Sequence, residues 1–162
     1  MQTFLPWPTF KHSAEVLDYR RLGKQRIEAL DIYFLVQYKV NPGYFDLHKE
    51  IGISEKSAQL MIKRYLNHPA ILMWVGYADH LAKYYNVIRG EWMYRGYVNN
   101  MPSIEVETTN LFKRPNWLGG KIHSTHRSNL LRKDPKFYSQ YGWKVPDNLP
   151  YYWPVTGRSY NG

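Results

Sequence analysis

The chain has no cysteine and no long hydrophobic run, and these absences exclude several classes of protein. Without cysteine there is no disulfide, no Cys-ligated zinc or iron–sulfur cluster and no thiol nucleophile. No apolar run approaches the roughly 18 residues that a transmembrane helix needs. The first eight residues, which include Pro6 and Pro8, lack the basic and apolar regions of a secretory signal. We therefore expect a cytoplasmic protein with no membrane partner.

Acidic residues are also scarce relative to basic ones. The 22 Lys and Arg residues outnumber the 13 Asp and Glu residues and give a net charge of +9. The isoelectric point of about 9.6 lies above the value of about 9 that is typical of nucleic-acid-binding domains. Aromatic residues make up 17% of the chain, and such residues can stack on bases. The same composition also fits an aromatic core with a basic exterior, so composition alone leaves both interpretations open.

Length and hydrophobic periodicity predict one compact, mainly α-helical domain over residues 1–162. Ser13 is the expected N-cap of the first helix, which Gly23 bends or interrupts. An amphipathic stripe that begins at Ile27 continues the helical pattern. The Asn-Pro-Gly turn at 41–43 ends it.

Further helices are predicted after Ser54, from Pro69 to about residue 94 with kinks at Gly76 and Gly90, and over residues 124–133. Long loops are expected between them, at 44–52 and at 98–120, with a faint strand signal at 108–109. The last 25 residues are expected to form an irregular aromatic, proline-rich C-terminal tail that wraps the body.

The first candidate site is a polar helix face. Asp18, Arg21, Gln25 and Glu28 are spaced 3, 4 and 3 residues apart, so on a continuous helix they share one face. Four cations also fall within seven residues here, and they are Arg20, Arg21, Lys24 and Arg26. This face is either a functional site or a solvated, salt-bridged surface, and the local pattern does not decide between them.

The second candidate site is the basic segment 113–136, which holds seven Lys or Arg residues and one acid. Hydroxyl groups and backbone N–H groups at a helix N-terminus form an anion site, so phosphate is the expected ligand. The alternative is a basic surface helix without a ligand. The residues expected to contact nucleic acid here are Lys121, His123, His126, Arg127, Ser128, Asn129, Arg132 and Lys133. Two histidines three apart without a zinc motif do not indicate a metal site, so none is predicted.

Three motifs extend the sequence evidence over most of the chain: R-L-G-K-Q-R at 21–26, N-H-P-A at 67–70 and H-x-x-H-R-S-N-L-L-R-K-D-P at 123–135. With the aromatic end at 152–154, they resemble the pyrimidine-dimer DNA glycosylase (phage-type endonuclease V) family. The resemblance implies a small single-domain α protein. It also implies an N-terminal amine as nucleophile at the sugar C1′, a helix Glu and neighbouring Arg residues on phosphates.

The residues that this resemblance carries over match the family only in part. The run 19–22, Tyr-Arg-Arg-Leu, resembles the family's Tyr-Arg-Glu-Leu, so Arg21 stands where the catalytic Glu is expected. Asp18 and Glu28 lie on the same helix face and are our candidates to replace it. Arg26 resembles the family's second helix arginine with an offset of one residue.

The resemblance also requires an amine, and the chain offers two. Gln2 is too large for ready removal of Met1, so the α-amine is expected on Met1 and otherwise on Gln2. The extended segment 2–8 is expected to hold this terminus over the polar helix face. Lys24 is the second candidate, because flanking arginines are expected to lower its pKa.

Together these features predict a DNA glycosylase, with associated abasic-site lyase activity, that acts on damaged or modified pyrimidines. The expected partner is double-stranded DNA, bound by a monomer without a cofactor, in a bacterial or phage-infected cell. Two alternatives remain: a non-catalytic DNA-binding protein on the same fold, and an enzyme that acts on free modified nucleotides. A working acid–amine pair would separate the glycosylase from the non-catalytic DNA-binding protein.

Overall fold

The computed structural model describes residues 1–155 and the backbone of 158–160, and these residues are mainly α-helical, as predicted. Within them, the helices are α1 Phe10–Val16, α2 Tyr19–Val40, α3 Leu47–Ile51, α4 Glu55–Tyr65, α5 Pro69–Leu72, α6 Ala78–Tyr94, α7 Ile122–Lys133 and α8 Pro135–Tyr138. Short 3-10 helices cover Thr108–Phe112 and Ser139–Tyr141. Strands β1 (Tyr151–Trp153) and β2 (Arg158–Tyr160) pair antiparallel. No helix in the described ranges is both long and apolar enough to span a bilayer.

The core forms where α2 and α1 pack against α6, and the N-terminal segment runs into it. Residues 2–6 are buried. The Trp74 indole donates a hydrogen bond of 3.1 Å to the Thr3 hydroxyl, and the Tyr84 hydroxyl donates one of 2.8 Å to the Phe4 carbonyl. These bonds satisfy polar groups that burial would otherwise leave unpaired. The first residues of the chain are therefore a fixed part of the interior.

Helix α2 runs without a break through Gly23, so the predicted bend there is wrong. Asp18 begins the helix as its N-cap and accepts a hydrogen bond from the Arg21 amide at 3.2 Å. Gly23 instead permits a close approach, since a Cβ at this position would lie 2.9 Å from Cζ3 of Trp92. The absence of a side chain lets the Trp92 ring pack directly on α2.

The buried face of α2 matches only part of the predicted stripe, which continues from Ile27 through Leu30, Phe34 and Leu35: Leu35 is buried, and Leu30 and Phe34 pack against the core. Ile27, the predicted start of that stripe, is exposed. The buried positions are Leu22, Gln25, Ala29, Ile32, Leu35 and Val36. Periodicity missed Gln25 because the burial of a glutamine depends on partners distant in the sequence.

Several local signals are confirmed. Ser54 caps α4 through a 3.1 Å bond from the Ser57 amide. His68 caps α5, and Pro69 is its first residue. Helix α2 ends at Val40, directly before the predicted stop at 41–43. Helix α7 ends at Lys133, as expected from the Asp-Pro pair that follows.

Other boundaries are corrected by the structure. Ser13 lies inside α1, where its hydroxyl donates to the Trp7 carbonyl at 2.9 Å instead of capping a helix. Gly76 has φ +86°, a left-handed conformation that separates α5 from α6, so one helix over 70–94 is wrong. Helix α3 forms inside the loop expected at 44–52, and the faint strand at 108–109 is a 3-10 helix.

The C-terminal tail contains more regular structure than expected. The 3-10 helix Ser139–Tyr141 and the β1–β2 pair interrupt the segment predicted to be irregular. Proline excludes long elements but permits these short ones. Positions 156–157 and 161–162 of the predicted tail lie outside the described residues.

Candidate functional site

A pocket of about 420 Å³ opens where the N-terminus, α2, α5, α7 and β1 meet. It unites the polar helix face with the end of the basic segment, although the two are about a hundred residues apart in the sequence. Its lining residues are Met1, Gln2, Phe4, Arg21, Lys24, Gln25, Glu28, His68, Lys133, Tyr151 and Trp153.

Gln25 connects the N-terminal segment to the α2 carboxylate. Its side-chain Nε2 donates to the Gln2 carbonyl at 2.7 Å and to Glu28 Oε2 at 3.1 Å. Its Oε1 accepts from the Phe4 amide at 2.9 Å and lies 2.7 Å from the Tyr84 hydroxyl oxygen, whose single proton it shares with the Phe4 carbonyl. One fully bonded amide thus fixes the start of the chain beside Glu28.

Among the described residues that line this pocket, Glu28 is the one carboxylate. Its side chain is 18% exposed, and Oε1 lies 3.5 Å from the Nζ of Lys24. Lys24 is itself 73% exposed and lies at the pocket rim. Met1 and Lys24, which carry two of the candidate amines, therefore line the pocket that contains the carboxylate.

Asp18, the other candidate acid, lies beside the pocket and not among its lining residues. Its Oδ1 accepts hydrogen bonds from the Tyr138 hydroxyl and, at 3.1 Å, from the Arg21 guanidinium. Burial acts to raise the pKa of Asp18, but the hydrogen bonds from Tyr138 and Arg21 hold it below its usual value. This carboxylate stays charged and orients Arg21, which does line the pocket.

His68, the N-cap of α5, lines the pocket as well. Its Nδ1 accepts the Ala70 amide at 3.0 Å, which assigns the ring proton to Nε2. Burial and the nearby N-terminal ammonium lower the pKa of His68, so the ring is neutral near pH 7. No local sequence signal placed this histidine beside the N-terminus, because the two are brought together only by the fold.

The two histidines of α7 hold the backbone of Leu5 in the interior. His126 Nδ1 accepts from the Leu5 amide at 2.8 Å, and His123 Nδ1 lies 2.7 Å from the Leu5 carbonyl. The second nitrogen of His123 accepts from the Gly119 amide at 2.8 Å, so Nδ1 is the donor to Leu5. Burial lowers the pKa of both rings, that of His126 to about 3. The predicted phosphate ligands His123 and His126 are thus neutral, buried positioning groups.

The opposite side of α7 holds the C-terminal tail. Ser128 accepts from the Leu149 amide at 2.9 Å, and Asn129 donates to the Leu149 carbonyl at 3.1 Å. Arg132 donates to the Asn129 side chain and, at 3.4 Å, to the Leu149 carbonyl. Lys121 lies 5.5 Å from the ring centre of Tyr152. These predicted nucleic-acid contacts mainly bind the chain's own backbone and rings.

Three other arginines predicted to contact nucleic acid do not line the pocket: Arg127 on α7, and Arg20 and Arg26 on α2. Arg127 donates to the Pro6 carbonyl at 2.6 Å and lies 4.2 Å from the Trp7 ring. Arg26 projects away from the pocket and donates to Asn99 at 2.7 Å. Arg20 is exposed and donates to the Tyr19 hydroxyl at 3.0 Å.

Three cationic side chains among the described residues line the pocket, and we call Arg21, Lys24 and Lys133 the pocket rim. Burial lowers the pKa of Lys133, and the charges of Arg21, Arg132 and Lys24 lower it further. Lys133 at the end of α7 thus lines the same pocket as Arg21 and Lys24 of α2. In the part of the chain that the structure describes, no three His, Asp or Glu side chains are arranged to hold a metal ion.

Comparison with known proteins gives one result that covers a large part of the chain. The family model for pyrimidine dimer DNA glycosylase matches residues 1–105. The matched range includes the N-terminal segment, α2 and His68, whereas Lys133, Tyr151 and Trp153 complete the pocket from beyond it. Neither the curated proteins nor the solved structures gave a significant match.

Proposed function

Because the chain belongs to the pyrimidine dimer DNA glycosylase family, we propose that it excises a damaged or modified pyrimidine from double-stranded DNA and then cleaves the strand as an abasic-site lyase. The observation that carries this proposal is the pocket lined by both Met1 and Glu28. An amine beside a carboxylate is the pair that this two-step chemistry requires. The protein acts as a monomer without a cofactor, in the cytoplasm of a bacterium or a phage-infected cell.

The first step forms a covalent link to the sugar. The neutral α-amine of Met1 attacks C1′ of the target nucleotide, and the bond between C1′ and the base breaks. The base leaves with the bonding electron pair and takes a proton from solvent. Glu28 accepts a proton from the attacking nitrogen and returns it to O4′ as the ring opens, which leaves a protonated Schiff base.

The second step cleaves the DNA strand. Glu28 removes a proton from C2′, and the electron pair of that C–H bond forms the C1′=C2′ bond of an enamine. The enamine nitrogen then restores the Schiff base, and the C1′=C2′ pair forms a C2′=C3′ double bond as the C3′–O bond breaks and the phosphate leaves with its bonding electrons. Water then hydrolyses the Schiff base and restores the amine. Glu28 suits both steps because it is partly exposed and accepts a hydrogen bond from the Gln25 side chain. The same Gln25 amide group also binds the Gln2 carbonyl.

The cationic rim binds the substrate's phosphates. Arg21, Lys24 and Lys133 line the pocket, and the Asp18 carboxylate holds the Arg21 side chain through a 3.1 Å bond. Charge-assisted bonds to phosphate are stronger than neutral ones and set the register of the DNA without reading its sequence.

Borohydride trapping on a duplex with an abasic site tests the mechanism, followed by mass spectrometry of the cross-linked peptide. We expect the cross-link on Met1; a cross-link on Lys24 would transfer the nucleophile's role. A two-residue extension before Met1 should abolish trapping, because it moves the amine out of the pocket, whereas the same extension at the C-terminus should not.

Glu28→Gln tests the acid, because it keeps the side-chain shape and removes the charge. Turnover on ultraviolet-irradiated duplex should fall by about 10² or more while DNA affinity is retained. Asp18→Asn is the matched control outside the pocket, and it should act through Arg21 on binding more than on turnover. A wild-type chain that binds abasic duplex but neither traps nor cleaves it would be the non-catalytic DNA-binding protein instead.

A further inference from the structure

A line of partly exposed aromatic rings lies on the flank of α2 that faces away from the pocket. Tyr19 and Tyr97 have ring centres 6.3 Å apart, and Tyr97 lies 4.3 Å from Trp92 with a tilt of 30°. Tyr19 is 51% exposed and Tyr97 is 39% exposed. We call Tyr19, Trp92 and Tyr97 the aromatic ledge. Large aromatic rings left in solvent at one place indicate a binding surface.

Cations lie at both ends of the aromatic ledge. The Arg20 guanidinium is 5.7 Å from the centre of the Tyr19 ring, and that of Arg26 is 4.8 Å from the Trp92 ring. The Arg95 charge nearby is neutralised by Glu91 at 2.9 Å. The ledge therefore presents flat rings between two positive charges, which is the composition of a surface that binds a nucleic-acid strand.

Helix α2 sets the distance between this ledge and the pocket. Tyr19, Gly23 and Arg26 follow one flank of the helix, whereas Arg21, Gln25 and Glu28 follow the other. An α-helix with side chains is only about 10–12 Å across. DNA that lies over the exposed ridge between the flanks reaches both at once. Gly23 keeps the ledge close to the helix, since a Cβ there would displace the Trp92 ring.

We propose that the aromatic ledge binds duplex DNA outside the pocket, by stacking on a base next to the nucleotide that is excised. This inference rests on the proposed function. Extrusion of the target nucleotide breaks the stacking of its neighbours and exposes their faces. Tyr19 and Tyr97 supply new faces for those bases, and Arg20 and Arg26 bind the adjoining phosphates. Because every base has a π-face, this contact is independent of sequence.

The test measures affinity for a duplex with a tetrahydrofuran abasic analogue, which has no base to release. Tyr19→Ala and Tyr97→Ala should each weaken binding about tenfold, as expected for loss of one stacked base. The dependence of affinity on salt should stay unchanged, because no phosphate contact is lost. Tyr19→Phe and Tyr97→Phe retain the ring and should bind like wild type. Tyr44→Ala is the matched control, a 94% exposed tyrosine remote from α2's N-terminal half.

The outcomes separate this inference from the proposed function. Affinities of both alanine variants within about twofold of wild type would overturn the ledge while leaving the glycosylase proposal standing. An equal loss in the phenylalanine variants would also overturn it, because the hydroxyl and not stacking would then matter. A wild-type chain that binds no DNA at all would remove both proposals together.

Discussion

At the scale of single residues, the carboxylates of α2 differ because their partners differ. Asp18 is bonded by Tyr138 and Arg21, and Glu28 by Gln25 and Lys24. Asp31 lies one turn beyond Glu28 and is partly buried. Burial, and then the charge of Glu28, raise the pKa of Asp31 to about 6. The same functional group therefore serves as an N-cap in Asp18 and as a candidate catalyst in Glu28. In Asp31, by contrast, the surroundings disfavour ionisation.

Asp31→Asn should stabilise the protein at neutral pH. The folded-state pKa of Asp31 is raised from 3.8 to about 6, so the folded state favours the proton. Below the unfolded pKa of 3.8, Asp31 is protonated in both states and its favourable contribution to folding is complete. That contribution is lost as the pH rises toward 6, and at neutral pH the loss in the free energy of unfolding is on the order of 2–3 kcal/mol. Because asparagine cannot ionise, the urea denaturation midpoint of the Asp31→Asn variant should exceed that of wild type at pH 7 and approach it at pH 4.

Glu15→Gln is the control for that experiment, because Glu15 is a partly exposed carboxylate that pairs with Lys11 at 3.8 Å. Its effect on stability should stay below about 0.5 kcal/mol at both pH values. If the difference between Asp31→Asn and wild type were the same at pH 4 and pH 7, the raised pKa would not be its cause.

His68→Asn separates the two roles that His68 combines. Asparagine is a good N-cap, so helix α5 should keep its start and the free energy of unfolding should change by less than about 1 kcal/mol. The neutral Nε2–H donor in the pocket is lost, however, and single-turnover excision should slow by about 10² if that donor bonds the substrate. Full activity in this variant would restrict His68 to capping, and His68→Ala measures the cost of losing both roles.

At the scale of elements, α7 is a clamp between the two ends of the chain. Its histidines bind the backbone of Leu5, and its Ser128 and Asn129 side chains bind that of Leu149. Polar residues on this helix are buried because they replace the hydrogen bonds that two irregular segments cannot make by themselves. The pocket depends on this clamp, since Met1 and Tyr151 enter the pocket from those two segments.

His126→Leu tests the clamp. The change keeps the buried volume roughly constant but leaves the Leu5 amide without an acceptor, which costs about 1–3 kcal/mol. Trapping at Met1 should weaken with it, because the N-terminal segment loses an anchor. Chemical denaturation and borohydride trapping measure the two effects. His12→Leu, an exposed histidine that stacks on Trp7, is the control and should leave trapping unchanged.

The elements also show which parts of this fold the sequence could predict. The cap at Ser54, the proline start of α5 and the end of α7 each depend on a few adjacent residues, so local patterns located them. The burial of Gln25 and of the α7 histidines depends on Phe4 and Leu5, which are 21 to 121 residues away. Their polar character suggested a surface, whereas long-range hydrogen bonds place them inside. The polar face of α2 was found because its spacing is itself local.

At the scale of the whole molecule, several of the cations behind the net charge of +9 are already bonded within the protein. Arg127 and Arg132 bond to backbone carbonyls, and Arg95 pairs with Glu91 and binds the end of α1. The cations that line the pocket are Arg21, Lys24 and Lys133, of which Arg21 also pairs with Asp18 and Lys24 with Glu28. Affinity for DNA should therefore depend on a few identifiable side chains more than on the net charge.

The salt dependence of DNA binding measures how many of these cations contact phosphate. With about five phosphates neutralised, the logarithm of affinity should fall with the logarithm of salt concentration at a slope of roughly −4 to −5. Lys24→Ala and Lys133→Ala should each flatten this slope by about 0.9, because each removes one phosphate contact at the rim. Lys56→Ala, an exposed lysine on α4 outside the pocket, should lower the net charge equally without changing the slope. Fluorescence anisotropy over a salt series distinguishes the two cases: if all three variants flattened the slope alike, the overall field and not the pocket rim would bind the DNA.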